Sequence, residues 1–235
     1  MLRSSGIPVA LGLGCLVLGP SVCMGQGYPR LTPEMQAQAA AKQSAADRRS
    51  DERFALAKPT IDAWTAKGKP YIPGASEPAH LPQSKIPAFP GAEGGGKYSF
   101  GGRGGKVMVV THLNDDGPGS FREACEAAGP RIVVFNVAGI IRLKDRIRIR
   151  APYITIAGNT APGDGVCYRN TVELESHDII IRHMRFRQGA VDAGDRNDSI
   201  GGNPIGNIMI DHVSASWGLD ENMSMYRHVS TAGWR

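Results

Sequence analysis

The residues with the most chemical potential in this chain lie together in the stretch Asn207–Asn222, NIMIDHVSASWGLDEN. An alternating apolar run leads there into an acid beside an imidazole, Asp211-His212, and then into a segment holding Trp217, Asp220 and Glu221. An aspartate next to a histidine has the composition of a general acid–base pair. In a regular strand, however, neighbouring side chains face opposite sides, so one cleft does not receive both. His212, like His183 upstream, is therefore expected to be a hydrogen-bonded member of a stack rather than a catalyst.

Three other features invite chemistry and lack what it needs. Gly91–Lys97 has the G-x-x-x-x-G-K spacing of a phosphate-binding loop, but Tyr98 stands where a hydroxyl must reach magnesium, with no strand before it and no helix after it. Arg103-Gly-Gly occurs once, too little charge for an RNA-binding segment. Tight turns at a domain edge account for the glycines. Cys125 and Cys167 have no spaced partners of a zinc site, and read either as a disulfide pair or as two small buried apolar residues.

The elements that must position these residues follow from patterning. With 41% hydrophobic residues in 235, the chain is long enough for one sizeable core. Arg3, an apolar run from Gly6 to Leu18, Pro20 and small residues from Val22 to Gly25 have the layout of a secretory signal peptide, with cleavage expected after Gly25. A membrane anchor needs about 20 continuous apolar residues, which Pro8 and Pro20 interrupt. A secreted or periplasmic protein without membrane attachment after cleavage is expected. Residues 26–87 read as an extension, first rich in helix formers and then in proline, and 88–235 as the main domain. The net charge of +5 favours a polyanionic partner, and export argues against a nucleic acid.

Within the main domain, Ser120 is expected to cap a helix Phe121–Ala128, with Glu123 in capping-box position. Short apolar strands then recur: Ile132, Ile154, Ile179 and Ile208 mark one series, and Ile147, Val172 and Ile200 a second. Repeats of this length without helices of their own form sheets between successive coils, as in a parallel β-helix. Ile154, Ile156, Ile179, Ile181, Ile208 and Ile210 would point inward, and Thr155, Ile180 and Met209 outward under some covering segment. The helix 121–128 is expected to plug one end of the solenoid, which otherwise exposes unpaired strand edges.

Taken together, AFPGAEGGGKYSFGGRGGKVMVVTHLNDDGPGSFREACEAAGPRIVVF, YITIAGNTAPGDG, IIIRHMRFR and IMIDHVSASWGLDEN resemble the secreted bacterial branch of the pectate lyases, over Ile86 to Trp234. The resemblance implies an all-β, right-handed parallel β-helix, incomplete at its C-terminal end, that cleaves acidic galacturonan (pectate) by β-elimination with Ca2+. Elimination removes a proton next to a uronate carboxylate, which requires that charge to be neutralised and the resulting anion stabilised. Calcium suits this because it shares six to eight oxygen ligands between protein and sugar.

By the same resemblance Asp198 and Asp220 are the main calcium ligands, with Asp195 and Glu221 as reserves and Asp192 a weaker one. Arg196 and Ser224 stand where the family has acids. Arg185, Arg187 and Trp217 are assigned to substrate binding, with Trp217 and Trp234 suited either to stacking on sugar rings or to packing. The family's base is an arginine on a coil about two turns further on, and no residue of this chain is assigned to that role. The expected partner is an acidic polysaccharide and the expected state a monomer. The alternative is a β-helix that binds the polymer without turnover. A hydrolase, which needs carboxylates converging on the scissile bond, is the weakest reading.

Overall fold

The computed structural model describes residues 31–73, 80–190, 197–203, 206–225 and 232–234. The expected signal peptide therefore lies outside the described residues. So do Asp192, Asp195 and Arg196. Among the described residues, no helix is long and apolar enough to cross a membrane.

The architecture is the expected right-handed parallel β-helix, of about four turns. Three parallel sheets run along it. The first holds β1 (Lys106–Val110), β2 (Arg131–Phe135), β5 (Ile154–Ala157), β8 (His177–Arg182), β11 (Gly206–Asp211) and β14 (Ala232–Trp234), paired in that order. The second holds β4 (Ile147–Ile149), β7 (Val172–Leu174), β10 (Ile200–Gly202) and β13 (Met223–Met225). The third, not anticipated from the sequence, holds β3 (Gly139–Arg142), β6 (Val166–Arg169), β9 (Arg185–Arg187) and β12 (Ser214–Ser216).

Register explains the core. Ile154, Ile179 and Ile208 are Cα partners, as are Ile156, Ile181 and Ile210, and all six are buried. Ile132 breaks the expected series: it pairs with Thr155 and is only half-buried, while Arg131 and Val133 occupy the inward places opposite Ile154 and Ile156. A slip of one residue exchanges the two faces of a strand. Ile132 was apolar on the wrong face, and an arginine held the right one.

The outward row Thr155–Ile180–Met209 is covered, as expected. Ala88, Phe89 and Ala92 pack on Ile180 and Met209. The glycine-rich stretch lies over the first sheet for a steric reason. A Cβ on Gly102 would stand 1.8 Å from the Arg131 carbonyl oxygen, and one on Gly105 would stand 1.9 Å from that of Pro130.

The helix α2 (Phe121–Glu126) ends two residues earlier than expected, because Ala127 is already extended. Its cap is as read from the sequence in one half: the Ser120 hydroxyl accepts from the Glu123 N–H at 3.0 Å. The Glu123 carboxylate reaches one residue further than a capping box requires, accepting from Gly119 N–H at 2.6 Å. Phe121 stacks on Tyr168, which stacks on Phe186, so the plug begins an aromatic column in the core. Cys125 is buried and Cys167 half-buried, and neither is in a disulfide.

A long helix, α1 (Pro33–Ala66), precedes the solenoid and starts at Thr32, whose side chain accepts from Met35 N–H. Ala57 and Ile61 pack against Ala151. Ion pairs complete the docking: Asp47 to Arg146 and Arg148, Asp51 to Arg150, and Arg49 to Asp145.

Candidate functional site

The site is built on the outward face of the second sheet. Ile147, Val172, Ile200 and Met223 stack inward in register, which turns Glu173, Gly201 and Ser224 outward as neighbours on successive coils. Gly201 has no side chain to fill the surface between the other two. A Cβ there would lie 2.4 Å from Asp198 Oδ2 and 2.7 Å from the Ser224 carbonyl oxygen, so the glycine lets the Asp198 carboxylate fold over the strand.

The two acidic segments are tied to each other by backbone bonds. Leu219 N–H donates to Asn197 O at 3.1 Å, Ser199 N–H to Glu221 O at 3.2 Å, and Ile200 N–H to Asn222 O at 3.3 Å. Glu221 N–H donates to Asp198 Oδ1 at 3.1 Å. Thr171 fixes the start of the segment from the coil before, donating its hydroxyl to Asp198 O at 3.0 Å. The result is a cavity of about 340 Å3 lined by Glu173, Asn197, Asp198, Gly202, Asp220, Glu221 and Ser224.

Asp198, Asp220 and Glu221 thus line one cavity. Glu173 joins them and was missed. Its signal was the second repeat series, which places it one coil before Gly201. Glu173 is also held by Arg146 at 3.0 Å and Arg148 at 3.3 Å, so part of its charge is already balanced. Burial pushes the Asp198 carboxyl above its ordinary value, and the charges of Glu221 and Asp220 push the same way, against hydrogen bonds from Glu221 N–H and the Ser224 side chain.

The donors are carboxylate, amide and hydroxyl oxygens, the set a hard cation such as calcium takes. No three carboxylates of the cavity bring ligand atoms within 4.8 Å of one another among the described residues. The donor set therefore fits a cation that completes its shell with an oxygen-rich ligand, rather than one fully enclosed by protein.

A second cluster sits at the end of the first sheet. His183 and His212 both adopt left-handed backbone, with φ of 54° and 52°. Their rings stack at 4.7 Å, as expected of paired coils. Asp211 and His212 nonetheless touch: β11 ends at Asp211, and the left-handed turn brings His212 Nδ1 to 2.8 Å from Asp211 Oδ1, with Asp211 buried and the His212 ring exposed. Alternation of faces holds only while the strand continues. Asp211 Oδ2 accepts from Arg182 Nε at 2.6 Å, and the Arg182 guanidinium lies over the Phe89 ring. Burial alone would raise the Asp211 carboxyl, and the bonds from Arg182 and His212 outweigh it and hold the carboxyl below its ordinary value. Ligand atoms of His183, Asp211 and His212 lie within 4.8 Å of one another. Both Asp211 oxygens are already engaged and the rings are face to face, which is the geometry of a hydrogen-bonded stack.

Arg185, Arg187 and Trp217 do not line the acidic cavity. They lie on or next to the third sheet. Arg185 donates to the Asp164 carbonyl, and Arg187 donates to Ser214 O at 2.7 Å and Ser214 Oγ at 2.9 Å. Trp217 is 69% exposed, with the Arg187 guanidinium 5.9 Å from its ring centroid.

The chain is 46% identical over 149 residues to a probable pectate lyase C of Aspergillus flavus, an alignment covering 63% of this chain and 35% of that protein. It is 49% identical over 141 residues to a probable pectate lyase C of Aspergillus fumigatus, covering 59% and 33% respectively. The solenoid is similar in sequence to proteins named pectate lyase C. The chain spans about a third of the length of these curated relatives. Among solved structures, the crystal structure of Jun a 1, the major allergen from cedar pollen, superposes with a TM-score of 0.51 at 20% identity, over 61% of this chain and 47% of that one. That likeness supports the fold. No family model matches the chain.

Proposed function

We propose that this pectate lyase-like solenoid acts on acidic galacturonan by calcium-dependent β-elimination. The observation that carries the reading is the convergence of Asp198, Asp220 and Glu221 beside Glu173, on the open face of a solenoid similar in sequence to proteins named pectate lyase C. Asp198 and Asp220 would hold the ion, with Glu221 and, from outside the described residues, Asp195 as further ligands. When bound, calcium supplies neutralisation of a uronate carboxylate, which acidifies the adjacent C–H. Asn197 and Ser224 line the same cavity and offer hydrogen bonds to sugar hydroxyls or carboxylate. Arg185, Arg187 and Trp217 would engage the polymer on the adjoining sheet. The protein would be exported and act as a monomer.

A second reading, polymer binding without turnover, is favoured by one feature. No arginine, lysine or histidine lines the acidic cavity among the described residues, so the group that would take the proton is not in that lining. Incubation of the chain with polygalacturonate, followed by absorbance of the unsaturated product ends, separates the two. The first reading expects products that require calcium and fall at least tenfold in Asp198→Ala and Asp220→Ala. Binding of the polymer with no products at any calcium concentration supports the second.

A further inference from the structure

The register of the third sheet sets three arginines side by side. Arg142 pairs with Arg169 and Arg169 with Arg187, on three successive coils, and the next partner is Ser216, followed directly by Trp217. All three point outward, because the inward neighbours Ile141, Tyr168 and Phe186 are fully buried. Arg142 and Arg169 are exposed and Arg187 is half-buried. Adjacent strands are spaced ~4.8 Å apart. Like charges placed directly opposite on neighbouring strands are destabilising.

The same molecule treats another arginine row differently. Arg146, Arg148 and Arg150, along the second sheet, are each matched by carboxylates: Glu173 and Glu175 from the next coil, Asp47 and Asp51 from α1. Among the described residues, none of Arg142, Arg169 and Arg187 makes an ion pair. Asp115 and Asp116 share a cavity with Arg142 but are engaged by Arg122 and Arg53. The Ser214 bonds hold the Arg187 guanidinium beside the exposed face of Trp217 without neutralising it. The row is thus an uncompensated line of positive charge along the solenoid axis, ending in an exposed indole.

We propose that the row Arg142–Arg169–Arg187, closed by Trp217, is a binding surface for a linear acidic polysaccharide, separate from the acidic cavity and on a different sheet. A polyuronate carries one carboxylate on every sugar ring, so its charges repeat on the scale of the coil spacing. The indole offers a face for a sugar ring. The polymer's class rests on the function proposed above, whereas the surface and its charge rest on the register alone. On this account the protein holds the polymer without calcium, and the cavity is not needed for that hold.

The test is binding of polygalacturonate to the full chain in the absence of calcium, by affinity electrophoresis and by fluorescence anisotropy of labelled oligogalacturonate, at low and raised salt. The double variant Arg142→Gln/Arg169→Gln is expected to bind at least tenfold more weakly and with a shallower salt dependence. Arg142→Lys/Arg169→Lys is expected to keep most of the binding. Both positions are exposed, and unchanged circular dichroism of the glutamine variant checks the fold. The proposal is overturned if wild type does not bind without calcium, if the glutamine variant binds as wild type does, or if neutral galactan or single-stranded DNA binds as tightly as polygalacturonate. Failure of the function reading looks different: polymer binding that depends on the arginine row, with no calcium-dependent product.

Discussion

Arg131 stands at the inward place of β2, fully buried, and donates to five backbone carbonyls: Ala124, Cys125, Gly129, Ala151 and Pro152. Two of these close the end of α2, whose last carbonyls have no partner within the helix. Burial lowers its pKa to about 10, which leaves it charged at neutral pH. Arg131→Met keeps the bulk and strands those oxygens in the core. It is expected to cost about 3 kcal/mol or more, read from the urea midpoint at unchanged m-value. Asp211 gives a pH signature. Its folded pKa is lowered, so its contribution is present above the ordinary aspartate value of about 3.9 and is lost as pH falls through the folded value. Asp211→Asn should therefore lose about 2 kcal/mol at pH 7, and the gap from wild type should narrow in unfolding curves as pH falls below the ordinary aspartate value. At this scale the acids of the cavity were legible because Asp198, Asp220 and Glu221 sit in a recognisable motif. Arg131 was not, since nothing in RIVVF announces that the arginine faces in.

At the scale of elements, two sheets could be read from recurring isoleucines and the third could not. The strands of the third sheet are three or four residues long and their paired inward residues, Ile141, Tyr168, Phe186 and Ala215, differ in kind, too short and too varied a run to show a period of two. The arginine row hid in the same strands, because cross-coil partners become visible only once register is fixed. The turn chemistry was also unreadable. Left-handed backbone at His183 and His212, both β-carbon-bearing residues, is imposed by the corner of the coil rather than by local preference. The glycine-rich stretch gives a sharp prediction. Gly105→Ala must displace the Pro130 carbonyl, whereas Gly104→Ala meets nothing within 4 Å and is strained only by its φ of 74°. Gly105→Ala should lower the thermal midpoint by several times the shift of Gly104→Ala, by calorimetry.

For the whole molecule, α1 is fastened to the solenoid by a small apolar patch and a charged seam. The patch is Ala57, Ile61 and Ala151, and the seam runs from Asp47 and Asp51 to Arg146, Arg148 and Arg150. Partly exposed ion pairs weaken with salt while a buried apolar core does not. Limited proteolysis in about 1 M salt should cut α1 faster than in dilute buffer, leaving the solenoid resistant; Asp47→Lys/Asp51→Lys should show the fast cut at low salt. Equal rates at both salt concentrations would place the docking energy in the apolar patch. The seam reaches the proposed site, because Glu173 is both a partner of Arg146 and Arg148 and a wall of the acidic cavity.

On the function proposed, this cavity holds a calcium ion in concert with a uronate. Calorimetric titration of calcium into the full chain, with and without saturating oligogalacturonate, tests it most directly. The account predicts weak calcium binding alone, at least tenfold tighter binding with the oligosaccharide, and loss of that gain in Asp198→Ala. Calcium binding that is unchanged by the oligosaccharide, or a gain that survives in Asp198→Ala, would contradict it.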